Sequence, residues 1–391
     1  HYRSHSFPTR RSSDLLEVRD IGMVIIDEAH YNSFRKLFKF FEKCFILGVT
    51  ATPLSSNIKL PMKDNYRELI VGDSINSLIE KGFLARANTY SYNVGLTSLK
   101  VGMNGDYTVK SSEELYSNFS MQEKLLNAYY DRSRGKKTLI FNNGINTSIE
   151  VYETFKNAGL PIRHLDNTTS KQDRKDILKW FKNTPDAIVT SVSILTTGFD
   201  EPTVETIILN RATKSLTLYF QMIGRGSRVL PNKKEFSVID LGNNLARFGH
   251  WSAPVDWKQI FRSPDFYFEN LLSDEEIERE FKYQMPPELR KQFAKSENVD
   301  FDVEVAYDEV IQKGLKSKTV LEWSLEQHVK MCVENSEDVF DARILAKELK
   351  YDIASRIKQY SYCISKSTKN YRDWLEEDYS RKLRLAINQE F

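Results

Sequence analysis

Asp27 and Glu28 are adjacent carboxylates, followed by Ala29 and His30, and they close the apolar run Met23-Val24-Ile25-Ile26. Such a run, rich in β-branched residues, reads as a buried parallel strand. In open α/β sheets, ligand chemistry gathers at the carboxyl ends of strands. The two acids therefore stand where a strand would deliver them to a site, and a bound cation would offset their mutual repulsion. A second apolar run, Cys44-Phe45-Ile46-Leu47-Gly48-Val49, ends in the small polar turn Thr50-Ala51-Thr52 before Pro53 stops regular structure. Far along the chain, Gln221-Met222-Ile223-Gly224-Arg225-Gly226-Ser227-Arg228 carries two arginines three positions apart. Placed at a helix start, they share a face, and the planar guanidinium suits phosphate oxygens.

These groups need elements to hold them. The first part of the chain reads as strand (about 22–27), helix (about 32–43, with Phe34, Leu37, Phe38 and Phe41 inward) and strand (about 44–49). Residues 64–95 read as a helix-turn-helix stretch followed by a strand over Asn88–Val94. Glycines at 95, 102 and 105 mark residues 96–135 as a linker. It ends in a helix capped by Ser120, with Glu123 completing a capping box. From Lys137 strands and helices alternate with short connections up to about residue 248, which predicts a parallel, doubly wound sheet. A helix over 146–158 is closed by Gly159. Residues 249–391 are charge-rich with helical periodicity. Phe266, Tyr267, Phe268, Trp323 and Trp374 supply core material there.

The chain has 391 residues, enough for two to three domains, with 40% hydrophobic and 28% charged residues, as in ordinary globular proteins. No apolar run approaches the roughly 20 residues of a membrane span. Cys44, Cys332 and Cys363 lie far apart without metal-ligand spacing, so a reducing, cytoplasmic setting is expected. The segment His5–Leu15 resembles the translation of a common sequencing-library adapter, and residues 1–15 are expected to be non-native. Their Arg3, Arg10 and Arg11 against Asp14 account for the whole net charge of +2, so the rest is formally neutral. Bulk charge is therefore no argument for a nucleic-acid partner.

Taken jointly, Asp27-Glu28-Ala29-His30, then Thr50-Ala51-Thr52, then Thr196-Thr197-Gly198-Phe199-Asp200-Glu201-Pro202, then Gln221…Arg225…Arg228 resemble a superfamily 2 DEAD/DEAH-box helicase or translocase, of the RadD-like and ResIII-related kind. The match covers about residues 22–248. It implies an α/β fold of two RecA-like parallel-sheet lobes, the first incomplete (16–95) and the second at 136–248, followed by a mainly helical accessory region at 249–391. It implies ATP and Mg²⁺ as cofactors and nucleic acid as partner, DNA favoured over RNA, with no membrane association. By resemblance, Asp27 holds Mg²⁺ through water and Glu28 orients and deprotonates the attacking water. His30 couples to Gln221, and Arg225 and Arg228 act as arginine fingers. Gly198 and Asp200 follow the nucleotide across the cleft, and Thr50 and Thr52 link ATP state to closure. Asn142, Thr190, Ser191 and Thr196 sit where hydroxyls and amides hold a nucleic-acid phosphate chain.

The phosphate loop G-x-x-x-x-G-K-[ST] is absent from the chain. In the family it precedes the acidic motif. The expectation is therefore an N-terminally truncated fragment, deficient in ATP hydrolysis, of a helicase acting in DNA repair or recombination. A restriction-system motor subunit and a non-catalytic nucleic-acid-binding fragment are the alternatives.

Overall fold

The computed structural model describes residues 21–41, 43–55, 57, 59–192, 194–196, 199–279, 285–364 and 369–391. The chain divides into two compact units, residues 1–274 and 275–391.

Unit 1 begins with a two-stranded parallel sheet of β1 (Met23–Asp27) and β2 (Phe45–Val49). The register pairs Asp27 with Val49, so Thr50 emerges beside the acids. The strands are not fully buried, contrary to the expectation from their apolar character. Ile26 is buried, but Ile25 and Phe45 are each 64% exposed. Successive side chains of a strand point to opposite faces, and among the described residues the face bearing Ile26 and Ile46 is the packed one, against Phe34, Phe38, Tyr66 and Phe261. Gly48 lies on that face, where a Cβ would come within 2.5 Å of the Tyr66 ring. The intervening helix is shorter than its periodicity suggests: a 3-10 turn at Asn32–Phe34 and α1 (Arg35–Phe38).

A second sheet holds β3 (Arg86–Ser91), β4 (Thr138–Asn142), β5 (Ile162–Leu165), β6 (Ile188–Val192), β7 (Thr206–Asn210) and β8 (Glu235–Asp240). Its order is β3-β8-β7-β4-β6-β5, parallel throughout. The expected doubly wound arrangement is present. One face, with Leu139, Phe141, Ile207 and Leu209, packs against Phe181, Tyr219 and Ile260. The other, with Ile140, Ile188, Ile208 and Ile239, packs against Tyr116, Leu125, Tyr129 and Phe155.

Two boundaries differ from the sequence reading. β3, expected to finish the first lobe, pairs with β8 in the second sheet. The stretch 96–135, expected to be a linker, carries helices whose buried tyrosines complete the second sheet's core. Given α2 (Ile75–Glu80), these are α3 (Val109–Tyr116) and α4 (Phe119–Arg132). The cap of α4 is Asn118, whose side chain accepts from the Met121 N–H; Ser120 lies inside the helix. Asn is as good an acceptor here as Ser, and two candidate caps stood side by side.

The helices α5 (Ile145–Asn157), α6 (Lys171–Asn183) and α7 (Leu216–Gly224) connect the later strands, and α8 (Asn244–Phe248) follows β8. After them, α9 (Trp257–Arg262) and α10 (Pro264–Glu269) still belong to unit 1. Trp251 and Ile260 lie in its core, so the compact unit ends at Asp274 rather than near 249.

Unit 2 is helical, as expected, with its core around Phe293, Val310, Val320, Met331, Ile357 and Leu383. Of the aromatics expected inside, Trp323 packs against this core, whereas Trp374 is 48% exposed. A buried polar chain runs through it. His328 lies between Asp352 (3.2 Å) and Tyr379 (2.9 Å), and Arg356 binds Asp352 at 2.9 Å. Among the described residues no helix is long and apolar enough to cross a membrane.

Candidate functional site

The acids leave β1 in an unusual backbone. Glu28 has φ +50°, the left-handed region that non-glycine residues rarely enter, and its N–H donates to Asp27 Oδ1 at 2.9 Å. Ala29 N–H then donates to the Val49 carbonyl at 3.0 Å, tying the turn to the end of β2. This twist brings His30 inward. It is 1% exposed, with Nδ1 at 2.9 Å from Thr50 Oγ1 and 3.3 Å from Glu28 Oε2. Thr50 Oγ1 also accepts the Thr52 N–H at 3.1 Å. The partner expected for His30 was Gln221. The structure instead pairs His30 with Thr50, because both lie at the ends of adjacent strands, and His30 Nε2 is buried without a hydrogen-bond partner.

The arginines sit at the end of α7, not at a helix start. Gln221 lies on the helix, Arg225 is its C-cap, and the chain then turns. Gly226 is required by space, since a Cβ there would meet the Phe236 ring at 2.3 Å; a Cβ at Gly224 would meet nothing. Arg225 donates from Nε to the Gln221 carbonyl at 3.3 Å and from NH1 to the Phe199 carbonyl. Arg228 Nε lies 2.9 Å from Asp200 Oδ1, an exposed pair. Gly198 and Thr197 lie outside the described residues.

The two halves meet electrostatically. Burial and the neighbouring Asp27 push the Glu28 carboxyl up, and the Arg225 guanidinium pulls it down. Burial and Arg228 lower the Arg225 guanidinium, while Asp200 and Glu28 support its charge. Burial alone pushes His30 down to about 4, so its imidazole is neutral. Thus β1's carboxyl end and the turn after α7 present opposite charges to one another, with Arg225 rather than Arg228 the arginine felt by Glu28.

The residues expected to hold a phosphate chain are differently placed. Asn142, Thr190, Ser191 and Thr196 are all buried. Asn142 donates to Thr190 Oγ1 at 2.8 Å and accepts from Asn210 at 2.7 Å. Thr190 continues through Ser148 (2.9 Å) to His164 (2.9 Å) and Asp166 (3.2 Å). Asn142 and Thr190 are thus turned toward one another, because the parallel sheet brings strand ends side by side, and Ser191 enters only through its carbonyl, which accepts from Asn142 at 3.4 Å. Direct contact with a phosphate chain is not their arrangement in this structure. The sequence reading missed Ser148, His164, Asp166 and Asn210, which carry no motif, and Lys233, described below.

For a divalent cation, Asp27 is the exposed carboxylate at the end of β1. Among the described residues no group of three His, Cys, Asp or Glu could cage an ion. This donor set fits Mg²⁺, which keeps several waters and binds through one or two carboxylates plus substrate phosphates.

The family described as the helicase conserved C-terminal domain matches residues 119–229, and the family described as the type III restriction enzyme res subunit matches residues 3–55. A 51.5 kDa protein of a Lactococcus phage (isolate 7-9) is 28% identical over 248 residues, 62% of this chain and 54% of that protein. IRC3 of Saccharomyces cerevisiae, named as an ATP-dependent helicase, is 26% identical over 273 residues, 66% of this chain and 39% of its own length. The endonuclease subunit of the Escherichia coli type I restriction enzyme EcoAI is 22% identical over 253 residues, 56% of this chain and 31% of that subunit. The chain thus spans about half, or less, of the length of these relatives.

Proposed function

We propose that this chain, which belongs to superfamily 2 of the helicases, contributes the acidic and arginine halves of an ATP-hydrolysis centre that drives movement along nucleic acid, DNA in preference to RNA. The supporting observation is electrostatic: the Arg225 guanidinium, in the turn after α7, lowers the Glu28 carboxyl at the end of β1, and Glu28 supports the charge of Arg225. In this reading Glu28 orients the attacking water and takes its proton. The left-handed turn at Glu28 aims the carboxylate, and Thr50 fixes the neutral His30 behind it. Arg225 faces the charge that develops on the transferred phosphoryl group, while Arg228 is held by Asp200 in reserve at the rim. Asp27 would hold Mg²⁺ through water, and the ion would supply charge neutralisation on the phosphates. Thr52, tied to Thr50, couples the acidic turn to the end of β2. The buried chain through Asn142, Thr190 and Ser148 shapes the carboxyl edge of the second sheet beside the buried Ser191 and Thr196, and a strand is held over that edge through neighbouring groups.

The restriction-enzyme names among the matches favour DNA. They also support a second reading, in which the same core is the motor of a restriction system. Lacking the loop that cradles phosphates, this chain is expected to hydrolyse ATP very slowly. Purified chain is assayed for nucleic-acid-stimulated ATP hydrolysis, and a clear rate would overturn that expectation. Joined to a phosphate-loop segment, it should gain turnover that Arg225→Ala reduces by about 10³ or more. Because Arg225 lowers the Glu28 carboxyl, the same variant should move the acidic limb of the pH–rate profile upward. Unchanged turnover in Arg225→Ala would remove the arginine from the mechanism.

A further inference from the structure

Lys233 lies outside every motif, yet its side chain is buried in unit 1, 7% exposed. A buried ammonium must find acceptors, and this one finds three: the carbonyls of Pro202 (2.8 Å), Val204 (2.8 Å) and Gly226 (2.9 Å). Two of these belong to the segment that follows Asp200, and the third lies between Arg225 and Arg228. A tight turn fixes the lysine's own backbone, Leu230 and Lys233 exchanging N–H to carbonyl bonds at 3.0 Å in both directions. The carboxylates of Glu201 and Glu205 lie near enough to support its charge, against burial, which lowers it to about 8. The arginine turn has few other ties to that segment: Arg225 to the Phe199 carbonyl and the exposed Arg228–Asp200 pair.

We infer that Lys233 is a positioning residue, a three-pronged clamp that locks the Phe199–Val204 segment to the Gly224–Arg228 turn and so sets where Arg225 stands relative to Glu28. The inference deepens the proposed hydrolysis centre and rests on that reading for its functional meaning. The physical basis is geometric. Three carbonyls converging on one point need a compact donor with three N–H groups, which is the ammonium of lysine. Without it, three buried acceptors from two segments lose their common partner, and the segments are free to separate.

The test needs no catalysis. In Lys233→Met, amide hydrogen exchange should rise about tenfold or more in residues 199–204 and 224–228 together. The Arg225 Nε–H resonance, followed by nitrogen-15 NMR, should shift as the guanidinium's tie to the Phe199 carbonyl is lost. Lys233→Arg, which keeps the charge but offers a planar fork in place of a compact ammonium, should restore only part of the protection. A merely structural lysine would leave the Arg225 resonance unmoved. The inference is overturned by exchange that rises only in residues 230–236, or by an Arg225 resonance identical to that of the unmodified chain. Should Lys233→Met abolish the thermal transition of unit 1, Lys233→Gln, with two N–H donors for three carbonyls, carries the same test with the same two outcomes. If the clamp behaves as expected but Arg225→Ala leaves turnover of the loop-joined chain unchanged, the hydrolysis reading fails and the clamp stands.

Discussion

His30 is neutral at physiological pH because it is buried, and this has a measurable consequence. Its folded value of about 4 lies below the ordinary 6.5. As pH falls through about 6.5 the unfolded chain takes up a proton that the folded chain refuses until about 4. Stability contributed here is complete above that window and declines within it. Urea unfolding at pH 7 and pH 5 should show a larger loss of midpoint for the unmodified chain than for His30→Asn. Equal losses would mean that His30 is protonated without penalty. Glu28 has the reverse problem, since burial raises its carboxyl and only Arg225 counters this. The neutral histidine therefore adds no positive charge to the pocket, and the arginine does. Residue types, together with the family resemblance, put forward Asp27, Glu28, Thr50 and Arg225 as candidates. That His30 bonds Thr50 and not Gln221 was out of reach, because it follows from the parallel register of β1 and β2.

Among the elements, α4 offers a discriminating case. Asn118→Ala should cost about 1 kcal/mol, the usual loss for a helix cap, whereas Ser120→Ala should stay within about 0.5 kcal/mol. Chemical denaturation of the two variants measures this, and a larger loss at Ser120 would restore the cap to the position that the capping-box pattern suggested. The case shows why boundaries are hard to read: Asn118 and Ser120 are both good caps, and the choice falls to whichever backbone the packing of Met121 and Leu125 requires. The strands were more legible. Short β-branched runs between turn residues marked β1, β2, β4, β6 and β7, and β4 and β7 are buried along their whole length. Their partners were not legible, because hydrogen bonds between parallel strands join segments far apart in the chain. β3 joining β8 is the clearest example.

Across the whole molecule, the division after Asp274 predicts that residues 275–391 fold alone. That unit has its own core, including Phe293, Val310, Met331 and Ile357, and its own buried Arg356–Asp352–His328 cluster. Expressed alone, it should give a helical circular dichroism spectrum and one cooperative thermal transition. A non-cooperative melt would mean that its stability depends on unit 1. Breaking its buried cluster with Arg356→Met should destabilise it by about 3 kcal/mol or more, since Asp352 would be left buried beside a neutral imidazole.

The sequence by itself determined the α/β class and the order of the motifs, and offered the acids and arginines as candidates. These are local properties, carried by apolar runs, turn residues and functional groups a few positions apart. Tertiary structure alone decided that the charge of Arg225, and not that of Arg228, is the one felt by Glu28, and that Asn142, Thr190 and Ser148 are sealed in a hydrogen-bonded chain. It also showed Ile25 and Phe45 of the β1–β2 sheet to be exposed and Lys233 to bridge two motif segments. Each depends on which distant segments lie side by side. A buried charge or hydroxyl takes its meaning from partners that the sheet, not the sequence interval, brings within hydrogen-bond reach.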